Sequence, residues 1–478
     1  MKKLLLLFCF FCASLTCNAQ ENWLDLVINN PLSDEKIKEV IPITNAKTGD
    51  LALFYKTNSG LLCYLFDNKQ QLTNTFAIDE LPNKSQVYTG AVSSDSKIYN
   101  LFFTNSNGNK LGSIQIDFES ESFQTNNEFE LPKKEKVVQF VNSSDGLYLV
   151  TSVKKSSILK LYTFDVDGKA ISTTADFSNA IFENDNGLSY KFHDLIFQGS
   201  GQKKIAYITN NTPNSLEATS AKIKLYLSEG KLRLTNNLFN KNTFIVDFNL
   251  NDNSHHLTVL ENKDFIKKET GANTNSYLLD DYFFSVYATT QKLNVSIYNL
   301  KTNTLRKAFV INKGEPISFK NTPIIQEGGE FDKYRELEKT SKFLRKIVYS
   351  NVGIIAYKVK DNYVLTLGAS KAVSSGNLAM VGAMTGGALG AIVGGLLSNA
   401  FQSYHDTKST RILSLLDPDF NHVPGDIPVN SFDEIDTFIV NKSGKEHALP
   451  SIFKYQDATI WGSYNKTNKI YTFTKFRN

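Results

Sequence analysis

The sequence predicts an all-β protein built from repeated four-stranded units, and three observations lead to this prediction. The composition is that of a globular chain, with 41% hydrophobic and 21% charged residues among 478. Two motifs recur fifty residues apart, since Glu80-Leu81-Pro82 returns as Glu130-Leu131-Pro132 and Ser93-Ser94-Asp95 returns as Ser143-Ser144-Asp145. Within each unit, short hydrophobic runs of period two alternate with turn residues. Four strands in about fifty residues are typical of the blades of a β-propeller.

The predicted strands are clearest in the first three units, because Asn, Asp, Gly and Ser residues separate the hydrophobic runs. The first unit has strands at residues 51–55, 61–66 and 72–78, the second at 87–92, 98–103, 111–116 and 123–131, and the third at 137–141, 147–150, 158–164 and from 170 onward. Hydrophobic strands that end in a turn continue along the chain, at Phe66-Asp67, Ile116-Asp117, Phe164-Asp165, Leu227-Ser228, Tyr298-Asn299, Leu416-Asp417 and Phe473-Thr474. These seven markers predict about seven blades, and counts of six or eight stay open.

One strand and one turn resemble those of a known family. Residues 143–152 resemble the Ser-Pro-Asp-Gly turn and following strand of TolB-type and WD-repeat-like β-propellers, with Ser144 in place of the family's proline. Residues 165–169, Asp-Val-Asp-Gly-Lys, are similar to the outer hairpin turns of these proteins. The resemblance covers about residues 50–170. It implies the propeller fold and no particular activity, because propellers include both binding modules and enzymes.

The two ends of the chain are expected to share one blade. Only residues 475–478 follow the last marker, so the final blade has three strands and an unpaired outer edge, which is unfavourable. The hydrophobic run Trp23 to Ile28 precedes the first unit and has no partner of its own. We therefore expect a closing strand within residues 20–30, with 23–28 paired with residues 470–473. Trp23 and Trp461, the only tryptophans, would then share the closing blade, where we expect both to be core residues and not a ligand platform.

The first nineteen residues have the features of a secretory signal peptide. Lys2 and Lys3 precede a short apolar stretch, and Cys17 and Ala19 place small residues before a cleavage point after residue 19. The alternative is a lipoprotein signal in which Cys17 carries the lipid. We therefore expect an exported protein, in a bacterial periplasm or outer membrane or secreted. Cys63 is then the only mature cysteine, and its strand-like surroundings predict a buried hydrophobic side chain.

The charge pattern argues against a nucleic-acid partner. The chain has 52 Lys and Arg against 48 Asp and Glu, a formal net charge of +4, and only six of the cations are arginine. Arginine supplies the bidentate contacts that dominate phosphate and guanine recognition. We therefore expect no nucleic acid among the partners.

Two insertions interrupt the repeat near the sixth blade. Residues 328–346 are predicted to be a helix, because Phe331, Tyr334, Leu337 and Leu344 fall on one helical stripe and Glu338 to Lys342 is a favourable i,i+4 pair. Residues 372–408 form the second insertion, whose segment 376–400 carries no charge. Both are expected to leave the same face of this blade, side by side, with Phe331, Tyr334 or Leu337 near residues 378–397.

The second insertion contains a glycine zipper, which is a run of overlapping G-x-x-x-G motifs. Its glycines predict close contact with another helix or a bilayer, because each glycine costs a lone helix about 1 kcal/mol relative to alanine. Since residues 362–367 and 410–416 are predicted to pair as neighbouring strands, the insertion must return as a helical hairpin. Membrane insertion, protein–protein packing that includes self-association, and a disordered loop stay open. The predicted contact residues are Gly382, Gly386, Gly390, Gly394, Leu378, Leu389, Ile392, Leu396 and Leu397.

The sequence contains no motif for catalysis, a metal or a cofactor. None of its six histidines forms H-x-x-x-H, and no nucleophile elbow, P-loop or dinucleotide motif occurs. Asp417-Pro-Asp419-Phe-Asn421 begins like a calcium loop but lacks its glycine and closing glutamate. The sequence therefore favours a non-enzymatic, exported propeller that acts as a binding or scaffold protein, with no cofactor or metal site. The alternative is a propeller hydrolase or lyase acting on a glycan or peptide.

Overall fold

The computed structural model describes residues 20–477, with gaps at residues 29–35, 83–86, 144–145, 199–200, 210–211, 229, 268–270, 329–333, 372–399, 402, 405–407 and 442–447. Residues 1–19, the predicted signal peptide with Cys17, lie outside the described residues. Cys63 is fully buried in a strand, as predicted. The described part of the chain is all-β, and its strands form seven sheets of four or five strands that follow one another in chain order.

The first three sheets have four antiparallel strands each. The first sheet contains β2 (Glu39–Thr44), β3 (Leu51–Lys56), β4 (Leu61–Phe66) and β5 (Leu72–Ile78). The second sheet contains β6 (Val87–Ser93), β7 (Ile98–Thr104), β8 (Lys110–Asp117) and β9 (Ser122–Glu130). The third sheet contains β10 (Glu135–Ser143), β11 (Gly146–Val153), β12 (Ile158–Phe164) and β13 (Ala170–Asp176). A segment of short elements follows, with β14 (Phe182–Glu183), β15 (Ser189–Tyr190), α1 (Phe192–Ile196), β16 (Phe197–Gln198) and β17 (Gly201–Gln202).

The remaining sheets carry the additions to the repeat. The fourth sheet contains β18 (Ile205–Ile208), β19 (Ile223–Ser228), β20 (Lys231–Asn236), β21 (Asn242–Asn249) and β22 (His255–Glu261), with α2 (Leu216–Thr219) between β18 and β19. The fifth contains β23 (Asn273–Leu279), β24 (Tyr282–Ala288), β25 (Lys292–Asn299) and β26 (Thr304–Asn312). The sixth contains β27 (Ile324–Glu327), β28 (Arg335–Leu337), β29 (Asn351–Val359), β30 (Asn362–Ser370) and β31 (Ser409–Leu416), with α3 (Thr340–Val348) before β29. After α4 (Ser431–Asn441), the closing sheet contains β32 (Ala448–Tyr455), β33 (Ala458–Asn465), β34 (Ile470–Arg477) and β1 (Gln20–Val27).

The strand predictions hold in the first three sheets, where each predicted run lies in a strand except that the run 123–131 extends one residue past β9. The strand that the sequence analysis missed there is β2, whose central Pro42 argues against a strand. One marker differs from the structure, because Phe473-Thr474 lies inside β34. Leu227-Ser228 does end a strand, β19, but this is the second strand of its sheet, whereas the markers at Phe66, Ile116 and Phe164 lie on third strands. Turn residues thus identify the strands correctly but do not fix the position of each strand in its sheet.

The N-terminal strand completes the closing sheet, as predicted. Strand β1 pairs antiparallel with β34, with Leu24 opposite Phe473 and Val27 opposite Ile470. The Trp23 ring packs against Tyr455, with centroids 4.9 Å apart, and edge-on against Phe473 at 6.2 Å. Trp461 lies in the same sheet, on β33. The two ends of the described chain therefore share one hydrogen-bonded sheet.

Contacts join the closing sheet to the first sheet and each sheet to the next as far as the sixth. Strand β2 contacts β32 of the closing sheet, β6 contacts β10, β10 contacts β18, and β23 contacts β29. The Asn45 amide joins the first two sheets by donating to the carbonyl of Ser94 (2.8 Å). Lys224 Nζ joins the fourth and fifth by donating to Asn275 Oδ1 (2.5 Å). Together with the shared closing sheet, this order is that of a β-propeller.

The predicted helix at residues 328–346 is corrected in its limits. Residues 335–337 form strand β28, which pairs with β27, and the helix α3 runs from Thr340 to Val348. Leu337 is buried, whereas Arg335 and Glu336 are exposed. The buried stripe of α3 contains Phe343, Leu344 and Ile347. Phe331 lies outside the described residues.

Residues 205–220, of which 210–211 are not described, lie against strands of the third, fourth and sixth sheets, and we call them the central segment. Strand β18 pairs in parallel with β19, and α2 contacts β29 and β30. Gly353 and Gly368 lie opposite each other on neighbouring strands, and the Leu216 side chain packs against both. A Cβ on Gly368 would lie 2.8 Å from Cδ1 of Leu216. The sequence analysis missed this segment, because elements of four residues show no periodicity.

Candidate functional site at the root of the glycine-rich insertion

The predicted contact residues of the glycine zipper, from Leu378 to Leu397, lie outside the described residues. The strands that carry the insertion are described. Strands β30 and β31 pair along their whole length, with Ser370 opposite Ser409, and the Lys371 amide donates to the Lys408 carbonyl (3.1 Å). The predicted pairing of residues 362–367 with 410–416 is therefore confirmed. The chain leaves and re-enters the sheet at one end, as the hairpin argument requires.

The connection that contains α3 begins and ends at this same end of the sixth sheet. Asn351, the first residue of β29, lies opposite Ser370, and Glu327, the last residue of β27, lies opposite Ser409. Arg411 and Glu327 form an ion pair across this end. The two connections therefore share one face of the propeller at their roots. The predicted contact of Phe331, Tyr334 or Leu337 with residues 378–397 involves residues outside the described part.

The returning arm of the insertion packs on the helix α4. Residues 400–401 and 403–404 are helical, and Phe401 is buried. Its ring meets Phe432 of α4 edge-on, with centroids 5.3 Å apart, and the Tyr404 ring meets Phe432 at 5.6 Å. Further along α4, the Phe438 ring packs edge-on against Trp461 of the closing sheet at 5.5 Å. A separate apolar cluster thus binds the insertion to α4 and the closing sheet.

A polar network fixes the same arm. The Tyr404 hydroxyl donates to Asp433 Oδ1 (2.7 Å), and the Asn430 amide donates to Asp433 Oδ2 (2.7 Å). Asn430 Oδ1 also accepts hydrogen bonds from the amides of Phe432 and Asp433 and so caps the start of α4. Burial raises the pKa of the Asp433 carboxyl and that of the Tyr404 hydroxyl. The arm is therefore held by a directional contact as well as by packing.

The root of the insertion also contacts the central segment. The hydroxyls of Ser403 and Ser215 lie 2.6 Å apart, and those of Ser370 and Ser220 lie 2.9 Å apart. Both serines of the central segment flank α2. The root of the insertion thus lies between α4 on one side and the central segment on the other. Sequence reasoning identified the insertion but not these anchors, for which the aromatic residues after the zipper were the available signal.

One serine–histidine pair of the described residues lies within hydrogen-bond distance, on β11 and α1. The Ser152 hydroxyl and His193 Nδ1 lie 3.1 Å apart, but Ser152 is fully buried and His193 is 7% exposed. Burial lowers the pKa of His193, whose ring stacks on Phe197. This pair therefore joins α1 to β11 and cannot meet a substrate. Within the described ranges, no three His, Cys, Asp or Glu residues lie together in a way that could hold a metal.

The calcium-like sequence at residues 417–421 forms a hydrogen-bonded turn. Asp417 Oδ1 accepts from the amides of Asp419 (2.9 Å) and Asn421 (2.8 Å), and these bonds lower its pKa. Arg306 and Lys307 contact Asp419 and Asn421 from the neighbouring strand β26. The side chains of Arg306 and Lys307 thus contact oxygen atoms that a calcium ion would need as ligands.

Two lysine amines lie between the fourth and fifth sheets, where Lys224 is fully buried and Lys222 is partly buried. Lys224 Nζ donates to the carbonyl of Ala221 (2.7 Å) as well as to Asn275, and Lys222 Nζ donates to Asn273 Oδ1 (2.9 Å). Burial lowers the pKa of Lys222 to about 8 and that of Lys224 well below its usual value. These amines anchor the chain after α2 to the first strand of the fifth sheet.

No helix in the described ranges combines the length and apolar character that a membrane crossing requires. No protein-family model matches the sequence, and a search of curated proteins finds no match.

Solved structures show similarity to propeller domains at low sequence identity. The chain is similar to the WD40 domain of SCAP from fission yeast, with 10% identity, a TM-score of 0.29, and coverage of 93% of this chain and 88% of that one. It is also similar to the β-propeller domain of the Trilobed protease from Pyrococcus furiosus, with 10% identity, a TM-score of 0.32, and coverage of 93% and 94%. The propeller fold rests on the strand order and on the shared closing sheet.

Proposed function

We propose that the protein is an exported, non-enzymatic scaffold, and that it binds a membrane or a protein partner through its glycine-zipper insertion. In this proposal the seven sheets are the blades of one propeller, and residues 372–408 are the contact element of the sixth blade. The observation that carries the proposal is the anchored root. Phe401 and Tyr404 hold the returning arm on α4, and Ser403 contacts the central segment. A rigid root presents the insertion at a defined place on one face.

The composition of the insertion supports a role in association. Glycines spaced by four residues leave a flat helix surface on which another backbone can pack closely, and residues 376–400 carry no charge. A hairpin of this composition is unstable alone in water, since each glycine costs about 1 kcal/mol relative to alanine. Contact with a bilayer, a second copy of the chain or another protein would offset this cost. The signal-like residues 1–19 support export to a compartment where these partners are present.

The proposal is tested by adding bulk to the zipper. In the Gly386→Leu, Gly390→Leu double variant, we expect loss of the membrane-bound fraction or of the oligomer, while the circular dichroism of the propeller is unchanged. Gly314→Leu is the matched control, because a Cβ at Gly314 meets no atom within 4 Å. Cell fractionation reports membrane association, and light scattering on a size-exclusion column reports self-association. A double variant that fractionates and elutes like the natural protein would overturn the proposal.

A further inference from the structure

A cavity of about 210 Å³ lies between the fourth and fifth sheets. The connection from β20 to β21 and the outer strand β22 form one side, and β23, β24 and β25 form the other. It is far along the chain from the glycine-rich insertion, and no motif in the sequence points to it. Its volume lies below the about 300–1,000 Å³ of sites for drug-sized molecules, so it suits a ligand with a single ring.

The polar side chains that line the cavity are mostly neutral amides and hydroxyls. They are held in place by one another. The Asn237 amide donates to Thr243 Oγ1 (2.6 Å), and Asn237 Oδ1 accepts from the hydroxyl of Ser276 (2.6 Å). The Thr274 hydroxyl donates to Asn240 Oδ1 (3.1 Å). Asn237, Thr243 and Thr274 are buried, so this polar wall is preformed.

Apolar and aromatic side chains form the rest of the lining. Phe239, Phe283 and Tyr298 contribute rings, and Val259 lies at the surface with 48% of its side chain exposed. The two charged residues of the lining, Glu261 and Lys263, form an ion pair, with 3.4 Å between Oε2 and Nζ. The lining therefore carries no net charge that would select an anion or a cation.

We propose that this cavity binds one neutral sugar ring. Sugar hydroxyls both donate and accept hydrogen bonds, and asparagine amides and threonine hydroxyls do the same. The C–H face of a pyranose is apolar and packs on aromatic rings such as Tyr298. The absence of a net charge among the lining residues favours a neutral sugar over a phosphate or a carboxylate. Affinity for a free monosaccharide is expected to be weak, at about millimolar Kd, because few atoms make contact.

The test is ligand-observed NMR on the full-length protein with glucose, galactose, mannose, fucose and N-acetylglucosamine, each free in solution. Ser285 lines the cavity, so Ser285→Phe fills it, and Ser254→Phe introduces the same ring at an exposed turn. We expect saturable binding of at least one of the five sugars. Ser285→Phe should weaken it by about tenfold or more, and Ser254→Phe should leave it unchanged.

A second variant covers the case in which Ser285→Phe does not fold. Asn303 lies at the exposed edge of the cavity, so Asn303→Ala should weaken the same sugar by about threefold or more with the fold retained. Saturation by none of the five sugars would overturn the proposal. So would equal binding by the natural protein and these variants, or binding of inorganic phosphate in place of the sugars.

Discussion

The N-terminal strand should stabilise the whole propeller, and the truncation of Leu26 measures this contribution. Leu26 is 7% exposed and packs in the core shared by the closing sheet and the first sheet. Leu26→Ala should therefore lower the free energy of unfolding by about 2–3 kcal/mol, near the lower end for buried leucines because β1 is an outer strand. Val27, its neighbour on β1, is 55% exposed, so Val27→Ala should cost at most about 0.5 kcal/mol.

Tryptophan fluorescence is suited to this measurement, because Trp23 and Trp461 are the only tryptophans and both lie in the closing sheet. Urea unfolding followed by fluorescence reports that sheet, and circular dichroism reports all the strands. We expect the Leu26→Ala curve to shift to lower urea by both methods, and the two transitions to coincide. Equal midpoints for Leu26→Ala and Val27→Ala would refute this reasoning. A shift seen only by fluorescence would show that β1 stabilises its own sheet and not the ring.

Two further predictions concern the stability of the folded protein, one at Gly368 and one at Lys222. Gly368→Ala should destabilise the protein by about 1–3 kcal/mol in thermal or urea unfolding, because its Cβ would lie 2.5 Å from the carbonyl oxygen of Thr410, whereas Gly314→Ala should be nearly neutral. Lys222 has a pKa of about 8 in the folded protein and about 10.4 when unfolded, so the unfolded chain binds more protons between these values and stability rises with pH there. The stability of the natural protein relative to Lys222→Met should rise by about 1–2 kcal/mol from about pH 8 to 9.5, and a constant difference would contradict the burial of this amine.

The repeated sheets were predictable because their signal is local. Strands such as β7 and β8 are short runs rich in hydrophobic residues with turn residues at both ends, which a sequence shows directly. The closing strand was predictable for a different reason. A hydrophobic run without a partner and a sheet with an open edge together leave one favourable arrangement. The limits of α3 were not predictable in the same way, because a short edge strand and a helix both place Leu337 on an apolar face.

The candidate site was predictable only in part. The zipper stands out in the sequence, but the anchors at its root depend on contacts between distant positions. Tyr404 bonds to Asp433 of the helix α4, and Ser403 meets Ser215 at a separation of 188 residues. The cavity near Thr274 likewise combines side chains from two sheets. Neither arrangement leaves a periodic pattern or a spacing that a single sequence reveals.

The most direct test of the proposed function is to replace residues 372–399 by a short Gly/Ser linker and to compare the two proteins. The described propeller residues are unchanged in this variant, and Lys371 and Lys408 still pair across the root. We expect the variant to keep the circular dichroism, tryptophan fluorescence and urea midpoint of the natural protein, and to lose its membrane-bound fraction or its oligomer. Retention of the same fractionation pattern and the same mass in light scattering would contradict the role assigned to the insertion.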